Sequence, residues 1–281
     1  MSKKKLMSWN LGLLLIAALP GLAFAQISVT GSSLADPSSL LGVTGIMCES
    51  GPFTVSLGVT GGPQVWDFSA LTGSETEMTM TFLNPSETPF ADLFPEANVC
   101  CYIEQGDPHI MYAWFSLYPH YSYRKMSSSK VEDLGWKGTA FEKVYGDPFL
   151  TWKWPIGLGT AWSATSNSTS TSSGGATDGG AIETHETEAD AWGTVKVPTG
   201  TFECLRVRRH ITIISGDETV REQFVFQWLT EDGTEVASLW NVENWEEDPS
   251  FSVTEKMLVG KPDGEVAVPG SFWGTIKSLF R

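Results

Sequence analysis

The chain has 281 residues, with 18 basic and 33 acidic side chains and a formal net charge of −15 at pH 7. This acidity argues against binding to nucleic acid or to anionic membrane surfaces, because both require basic residues. Aromatic residues make up 12% of the chain and glycine is abundant, which favours strands and turns over helices.

Residues 1–25 have the three zones of a secretory signal peptide. Three lysines at positions 3–5 precede an apolar stretch at 11–19, and Ala23-Phe24-Ala25 supplies small residues for cleavage between Ala25 and Gln26. The apolar stretch is shorter than the ~20 residues of a membrane-spanning helix, and Pro20-Gly21 interrupts it. We therefore expect export to the periplasm or the exterior, with no transmembrane segment in the mature chain. Cleavage removes three lysines and no acid, so the formal charge becomes −18.

Residues 26–265 are predicted to form a single large antiparallel β domain. Apolar and polar residues alternate with the period of two that a half-buried strand requires. This pattern occurs at 53–58, 78–83, 220–228 and 236–240. Further extended segments are expected at 65–71 and 251–259, and 109–123 and 136–154 are strands with aromatic residues on both faces. We expect turns at 61–63 and 146–148, and an irregular, proline-rich stretch at 84–98.

The most regular pattern is a hairpin at 192–208. Val195 and Val197 alternate with polar residues, Pro198-Thr199-Gly200 supplies a turn, and Leu205 and Val207 resume the alternation. Its first strand continues a longer hairpin that begins at Trp162 and has a Ser/Thr/Gly-rich tip. Successive hairpins with no helical segments between them predict an all-β, mostly antiparallel fold. This fold is either a β-sandwich or a strongly curved half-barrel sheet.

Residues 266–281 have a helical pattern, unlike the rest of the chain. Phe272, Trp273, Ile276, Leu279 and Phe280 have the spacing of one apolar helical face. We predict a short amphipathic C-terminal helix or tail that covers an open side of the sheet.

Four cysteines, Cys48, Cys100, Cys101 and Cys204, allow two interpretations. Outside the cytoplasm, an even number permits disulfides, and adjacent Cys100 and Cys101 would each pair elsewhere. Alternatively, some of them are small buried apolar residues.

Opposite charges face each other in the predicted 192–208 hairpin. Arg206, Arg208 and His210 fall on one face of one strand, and Glu186, Glu188 and Asp190 on one face of its partner. With a bulge at Gly193, Asp190 would lie beside Arg208 and Glu188 beside His210. We expect these pairs to fix the strand register on a solvent-facing surface, the alternative being an anion site built by the two arginines.

The order of several motifs resembles a group of uncharacterised exported proteins of Bacteroidota and related bacteria. The motifs are Val65-Trp66-Asp67-Phe68-Ser69, Thr88-Pro89-Phe90 with Phe94-Pro95-Glu96-Ala97-Asn98, and Gly193-Thr194 with Pro198-Thr199-Gly200-Thr201-Phe202 and Leu205-Arg206. The P-x-G-T-F hairpin is also similar to that of periplasmic families with a large curved sheet. This second resemblance implies a half-barrel that holds an apolar ligand, and neither resemblance brings catalytic residues.

The sequence assigns no catalytic, cofactor-binding or metal-ligating residue. It has no Gly-x-Ser-x-Gly elbow and no phosphate-binding glycine loop. The candidate metal-ligand pairs are Asp107 with His109 and His185 with Glu186, and neither is assigned as a site. The first functional hypothesis is a non-catalytic structural or binding protein of the cell envelope or exterior. The alternatives are a carrier of a lipid or other apolar ligand, a glycan-binding role for the aromatic residues, and a secreted hydrolase.

Overall fold

The computed structural model describes residues 27–30, 44–50, 53–69, 76–105, 120–139, 141–172, 177–197, 200–231, 233, 235–240, 250–253 and 256–259. Fifteen strands lie in these ranges: β1 (Thr44–Ser50), β2 (Phe53–Ser56), β3 (Gly61–Asp67), β4 (Thr76–Leu83), β5 (Val99–Gln105), β6 (His120–Met126), β7 (Lys130–Gly138), β8 (Phe141–Lys153), β9 (Ala161–Ser172), β10 (Thr177–Val197), β11 (Gly200–Ser215), β12 (Glu218–Leu229), β13 (Glu235–Trp240), β14 (Ser250–Val253) and β15 (Lys256–Val259). Short 3-10 turns occur at Pro85–Glu87 and Ala91–Leu93.

One sheet contains thirteen of these strands. Its order is β11-β12-β13-β15-β1-β4-β5-β6-β7-β8-β9-β10-β3, and β14 pairs separately with β2. Neighbouring described strands are antiparallel, except that β3 runs parallel to β10. Because β10 also pairs with β11, the first and twelfth strands of the order are neighbours, and the sheet is strongly curved. The prediction of an all-β, mostly antiparallel fold is confirmed.

The concave face of the sheet has an apolar core at one end. Its cluster unites Val99 and Cys101 of β5 with Leu205 and Val207 of β11, strands that are far apart in the sheet order. Only the inside of a curved sheet brings such strands together. Trp152, Trp154 and Trp162 fill the same cluster, so aromatic side chains supply much of its buried apolar area.

Two further clusters lie on the convex face. The segment containing β2 and β3 places Trp66 and Phe68 against Phe226 and Trp228 of β12. The irregular segment 84–98, which was predicted correctly, packs Phe94 on Tyr123 with ring centroids 4.4 Å apart. Both faces of the sheet are therefore covered over part of their area.

Several boundaries differ from the sequence predictions. Gly61-Gly62-Pro63 begins β3 instead of forming a turn, and residues 251–259 contribute to two strands, β14 and β15, which lie in different sheets. Residues 146–148 lie within β8. Val144 faces Gly135 and Phe149 faces Asp133, so four residues of β8 bulge opposite Leu134 alone.

The predicted long hairpin of β9 and β10 is confirmed. The two strands pair from Thr177 opposite Thr171 to Glu188 opposite Ala161. The hairpin formed by β10 and β11 is confirmed from Val197 opposite Gly200 to Ala181 opposite Ser215. The predicted signal peptide at 1–25, most of the aromatic stretch at 109–123 and the C-terminal helix at 266–281 lie outside the described residues.

Three of the four cysteines lie at positions whose side chains are described. Cys100, Cys101 and Cys204 are buried, and none of the three is in a disulfide bond. Burial raises the pKa of Cys100 to about 12, and that of Cys101 is raised for the same reason. These three act as small apolar residues, which is the second of the two sequence interpretations; the side chain of Cys48 lies outside the described set.

Candidate functional site: a charged cavity inside the sheet

Alternation along β10 and β11 directs charged side chains into the concave side of the sheet. On β10, Glu183 and His185 are buried, whereas Glu186 is exposed. On β11, Arg209 is buried between Val207 and Ile211. A strand of period two turns these residues toward the same interior as the apolar core, so the interior is apolar at one end and charged at the other.

A cavity of about 310 Å³ lies at the charged end. Its charged lining residues come from six strands and are Arg124, Asp133, Lys143, Glu183, Arg209 and Arg221. His185, Tyr145 and Gln223 add neutral polar groups, and Phe149 and Trp152 add aromatic surface. A mixture of aromatic walls and a few convergent polar groups is typical of a small-molecule site.

Glu183 is the centre of one hydrogen-bonded network in this cavity. Lys143 donates from Nζ to Oε2 of Glu183, the hydroxyl of Tyr145 lies 3.2 Å from Oε1, and Nε2 of His185 lies 2.9 Å from Oε1. Burial opposes the ionisation of Glu183, but the hydrogen bond from His185 and the charge of Lys143 outweigh it. They lower the pKa of Glu183 to about 2, so the carboxylate is ionised.

A second network is built around Asp133 and Arg209. Nε of Arg124 lies 2.8 Å from Oδ1 of Asp133, and the hydroxyl of Thr151 donates to Oδ2 at 2.8 Å. Arg209 crosses the interior from β11 to donate to the carbonyl oxygen of Thr151 on β8 at 3.1 Å. Its guanidinium lies 4.9 Å from the ring centroid of Trp152, within cation–π range.

His185 has two ring nitrogens in different environments. Nε2 contacts Glu183, while Nδ1 is buried and has no hydrogen-bond partner among the described residues. The ring packs edge-on against Phe149, with centroids 4.4 Å apart, which fixes its orientation. Burial lowers the pKa of His185 below its ordinary value despite the hydrogen bond to Glu183, so the imidazole is neutral at pH 7.

The described lining therefore carries four basic and two acidic side chains. A cationic surplus inside a protein whose net charge is −15 is a local feature, opposite in sign to the whole chain. Chemically, this arrangement suits the binding of an anion.

Glu183 does not suit the general-acid role in the hydrolase alternative. A glycosidase needs one carboxyl that holds a proton near neutral pH, and Glu183 has the opposite property. Away from the cavity, a thiol nucleophile would need a lowered pKa, whereas burial raises the pKa of Cys100 and Cys101.

The two charge pairs predicted for the hairpin, Asp190 with Arg208 and Glu188 with His210, are both wrong because the register is shifted. The irregularity lies between Ala189 and Ala191, and not at Gly193, so Glu188 faces Arg208 and Glu186 faces His210. Asp190 pairs instead with Arg206, at 2.8 Å and 2.9 Å, and both side chains are 3% exposed. The prediction of a solvent-facing ladder is wrong for this last pair.

The sequence predictions missed the residues that line the cavity. His185 and Glu186 were expected to face opposite ways, which is confirmed, but His185 was not placed with Glu183. The alternation along β10 could have indicated these residues. Glu183 and His185 alternate with outward-facing residues, and the same face of the strand continues to the buried Ala189. Asp107 and His109 lie outside the described residues.

Two negative findings apply to the described ranges. They contain no group of three or more His, Cys, Asp or Glu residues positioned to hold a metal ion. No helix within them has the length and apolar character needed to cross a membrane.

Comparison with known proteins gives one distant structural neighbour. No family model and no curated protein matches the chain. The chain is similar to a crystal structure from Bacteroides fragilis that is provisionally described as an exported protein with a YmcC-like fold. The identity is 14%, the match covers 78% of this chain and 97% of that chain, and the TM-score is 0.39. At this level neither fold nor function transfers between the two proteins, and the resemblance to exported Bacteroidota proteins stays a prediction.

Proposed function

We propose that this chain is an exported, non-catalytic binding protein whose interior cavity holds a small anionic ligand. Export follows from the signal-peptide pattern at 1–25, and the binding domain is taken as residues 26–265. The observation that carries the proposal is the convergence of four basic residues, Arg124, Lys143, Arg209 and Arg221, on one cavity; Arg209 is buried and the other three are partly buried.

Size and charge both support this ligand class. A cavity of about 310 Å³ lies at the lower end of the range of roughly 300–1,000 Å³ for small-molecule sites. The acidic exterior does not prevent entry of an anion, because charges beyond a Debye length of about 8 Å are largely screened at physiological salt. Inside the cavity screening is weaker, so the local cations dominate.

The polar lining favours this function over the carriage of an apolar ligand. The apolar part of the concave face is filled by its own side chains, among them Trp152, Trp154 and Trp162. An apolar ligand in the charged cavity would remove solvent from ionic groups without replacing their hydrogen bonds, which is costly.

Thermal denaturation of the purified chain in the presence of small anions tests the proposal. The probes are acetate, sulfate, D-glucuronate and cyclohexanecarboxylate, with glucose as the neutral control. We expect at least one anion to raise Tm in a saturable manner, since a ligand that binds only the folded state stabilises it. Saturation by none of the four anions would overturn the proposal.

Two lysines on β8 provide a matched pair of variants. Lys143 lines the cavity, whereas Lys153 is exposed at the end of the same strand. We expect Lys143→Gln to weaken binding of the active anion by about 10-fold, the loss of one charge-assisted hydrogen bond, and Arg221→Gln to act in the same direction. Lys153→Gln removes the same charge and leaves binding unchanged. Equal effects from Lys143→Gln and Lys153→Gln would show unspecific attraction instead of a site.

A further inference from the structure

Gln223 of β12 lies on the interior wall of the charged cavity. It pairs with Ile211 of β11, and Ile211 pairs with His185 of β10. Residues directly opposite each other in antiparallel strands point to the same side of the sheet, so the side chain of Gln223 points inward, as that of His185 does. Gln223 lines the cavity, and only 3% of the residue is exposed. Its amide therefore belongs to the interior and not to the outer surface.

The amide of Gln223 has no hydrogen-bond partner among the described residues. Unlike Nδ1 of His185, however, its Oε1 and Nε2 are not enclosed, and both atoms keep some accessible surface. Because the side chain points inward and the residue is buried, that surface opens to the cavity. A buried polar group without a partner is energetically unfavourable, so such groups usually meet a ligand or an ordered water.

Arg221 is the neighbour of Gln223 on the same face of β12. The two residues are two positions apart, which places their Cα atoms about 7 Å from each other. Both line the cavity. This wall thus presents a cation and, beside it, a neutral group that both donates and accepts hydrogen bonds. A ligand that satisfies both has an anionic group and a neutral polar group close to it.

We infer that Gln223 binds an amide group of the anionic ligand through one donated and one accepted hydrogen bond. This inference rests on the proposed anion-binding function and names the neutral part of the ligand. The side chain of Gln223 presents an acceptor and a donor side by side in one plane. A lactam or a primary carboxamide presents the same two groups at the same spacing in the opposite order. A single hydroxyl would reach one of the two atoms and leave the other unbound.

A comparison of two carboxylates on the unmodified chain tests the inference. L-pyroglutamate and cyclopentanecarboxylate share a five-membered ring and one negative charge, but only pyroglutamate has a lactam N–H and C=O. By isothermal titration calorimetry, we expect pyroglutamate to bind at least about 10-fold more tightly, the combined value of two hydrogen bonds. Pyrrolidone, the same lactam without the carboxylate, should not bind measurably.

The variant Gln223→Met separates ligand binding from folding. Methionine has a similar unbranched shape but no N–H or C=O in its side chain. Pyroglutamate should therefore bind about 10-fold more weakly, while the affinity for cyclopentanecarboxylate is unchanged. In the absence of ligand, the urea midpoint should stay the same or rise, because an apolar group replaces a buried amide that has no partner. A structural role for the amide would instead lower the urea midpoint.

The outcomes distinguish this inference from the proposed function. Equal affinity of the unmodified chain for the two carboxylates, or binding of another anion without binding of pyroglutamate, overturns the amide contact and leaves the anion site intact. The assignment of Gln223 is overturned if the preference for pyroglutamate survives Gln223→Met, or if that variant has a lower urea midpoint or does not fold. Absence of binding by every anion overturns both proposals.

Discussion

Arg206 joins the segment carrying β2 and β3 to the convex face of the main sheet. Its guanidinium donates to both carboxylate oxygens of Asp190 and to the carbonyl oxygen of Leu57. The ring centroids of Trp66 and Phe226 lie 5.5 Å and 5.4 Å from it. One buried side chain thus satisfies a carboxylate of β10 and the backbone of the covering segment.

Removal of one member of this pair should be strongly destabilising. We expect Asp190→Ala to lower the free energy of unfolding by about 3–5 kcal/mol, because Arg206 is left buried without its counter-charge. The double variant Asp190→Leu with Arg206→Met should recover much of this loss. Urea denaturation followed by tryptophan fluorescence measures both changes.

An exposed ion pair serves as the control for this prediction. Lys125 and Glu96 are 2.8 Å apart on the surface, and their side chains are 47% and 63% exposed. Glu96→Ala should leave the urea midpoint essentially unchanged, because exposed ion pairs contribute little. Strict additivity of the Asp190 and Arg206 substitutions would contradict the coupling.

The register at Asp190 illustrates what strand periodicity leaves undetermined. Alternation placed Arg206, Arg208 and His210 together, as the structure does, but the pairing depends on which residue of β10 bulges. Ala189, Asp190 and Ala191 are all buried in succession. A buried aspartate is stable there only because Arg206 meets it, and that contact depends on the complete fold.

At the scale of elements, Gly193 sets the approach of β3 to β10. The parallel pairing places Gly193 opposite Gln64. A Cβ at Gly193 would overlap backbone atoms of Gln64. Glycine at this position allows the two backbones to approach closely enough for hydrogen bonding, and it thereby brings Trp66 over the convex face.

Substitution of this glycine should displace β3. We expect Gly193→Ala to destabilise the chain by about 1–3 kcal/mol, the usual cost of adding a methyl group to a packed site. Gly157→Ala is the matched control, since a Cβ there meets no atom within 4 Å. Thermal denaturation compares the two variants, and equal Tm shifts would mean that the approach of β3 is not limiting.

Local sequence signals predicted hairpins well, but the turns expected at 61–63 and 146–148 both lie within strands. The hairpins of β9 with β10 and of β10 with β11 follow from alternation over many residues. Gly146-Asp147-Pro148 has the composition of a turn but lies in β8 as a bulge. The hydroxyl of Ser166 explains this, because it accepts from the backbone N–H of Asp147 and donates to the carbonyl oxygen of Asp147. This tertiary contact has no local signature.

At the scale of the whole molecule, the charged cavity is a product of sheet curvature. Arg124, Lys143 and Arg209 belong to β6, β8 and β11, and they meet only because the sheet brings its first and twelfth strands together. Each strand alone contributes only one or two of the ionisable residues that line the cavity. Fold class was therefore predictable from the sequence, whereas the site was not.

This interior charge has a consequence for stability in acid. As pH falls below 7, protonation of surface carboxylates reduces the net charge of −15 and relieves repulsion, which favours the folded state. The cavity acts in the opposite direction. His185 has a folded pKa below its ordinary value of 6.5, so below that pH the unfolded chain binds more protons and the free energy of unfolding decreases.

Glu183 extends the same effect to lower pH. Its pKa falls from 4.5 to about 2 on folding, so its contribution is complete above pH 4.5 and is lost as pH falls toward 2. That contribution is on the order of 3 kcal/mol.

Urea denaturation at about pH 7, 5.5 and 3.5 separates the contributions of His185 and Glu183. The difference in free energy of unfolding between the unmodified chain and His185→Gln should decrease from about pH 7 to about pH 5.5. The corresponding difference for Glu183→Gln should decrease from about pH 5.5 to about pH 3.5. Surface carboxylates are common to all three chains and cancel in these differences, so parallel pH profiles would show that the cavity is not the source of acid sensitivity.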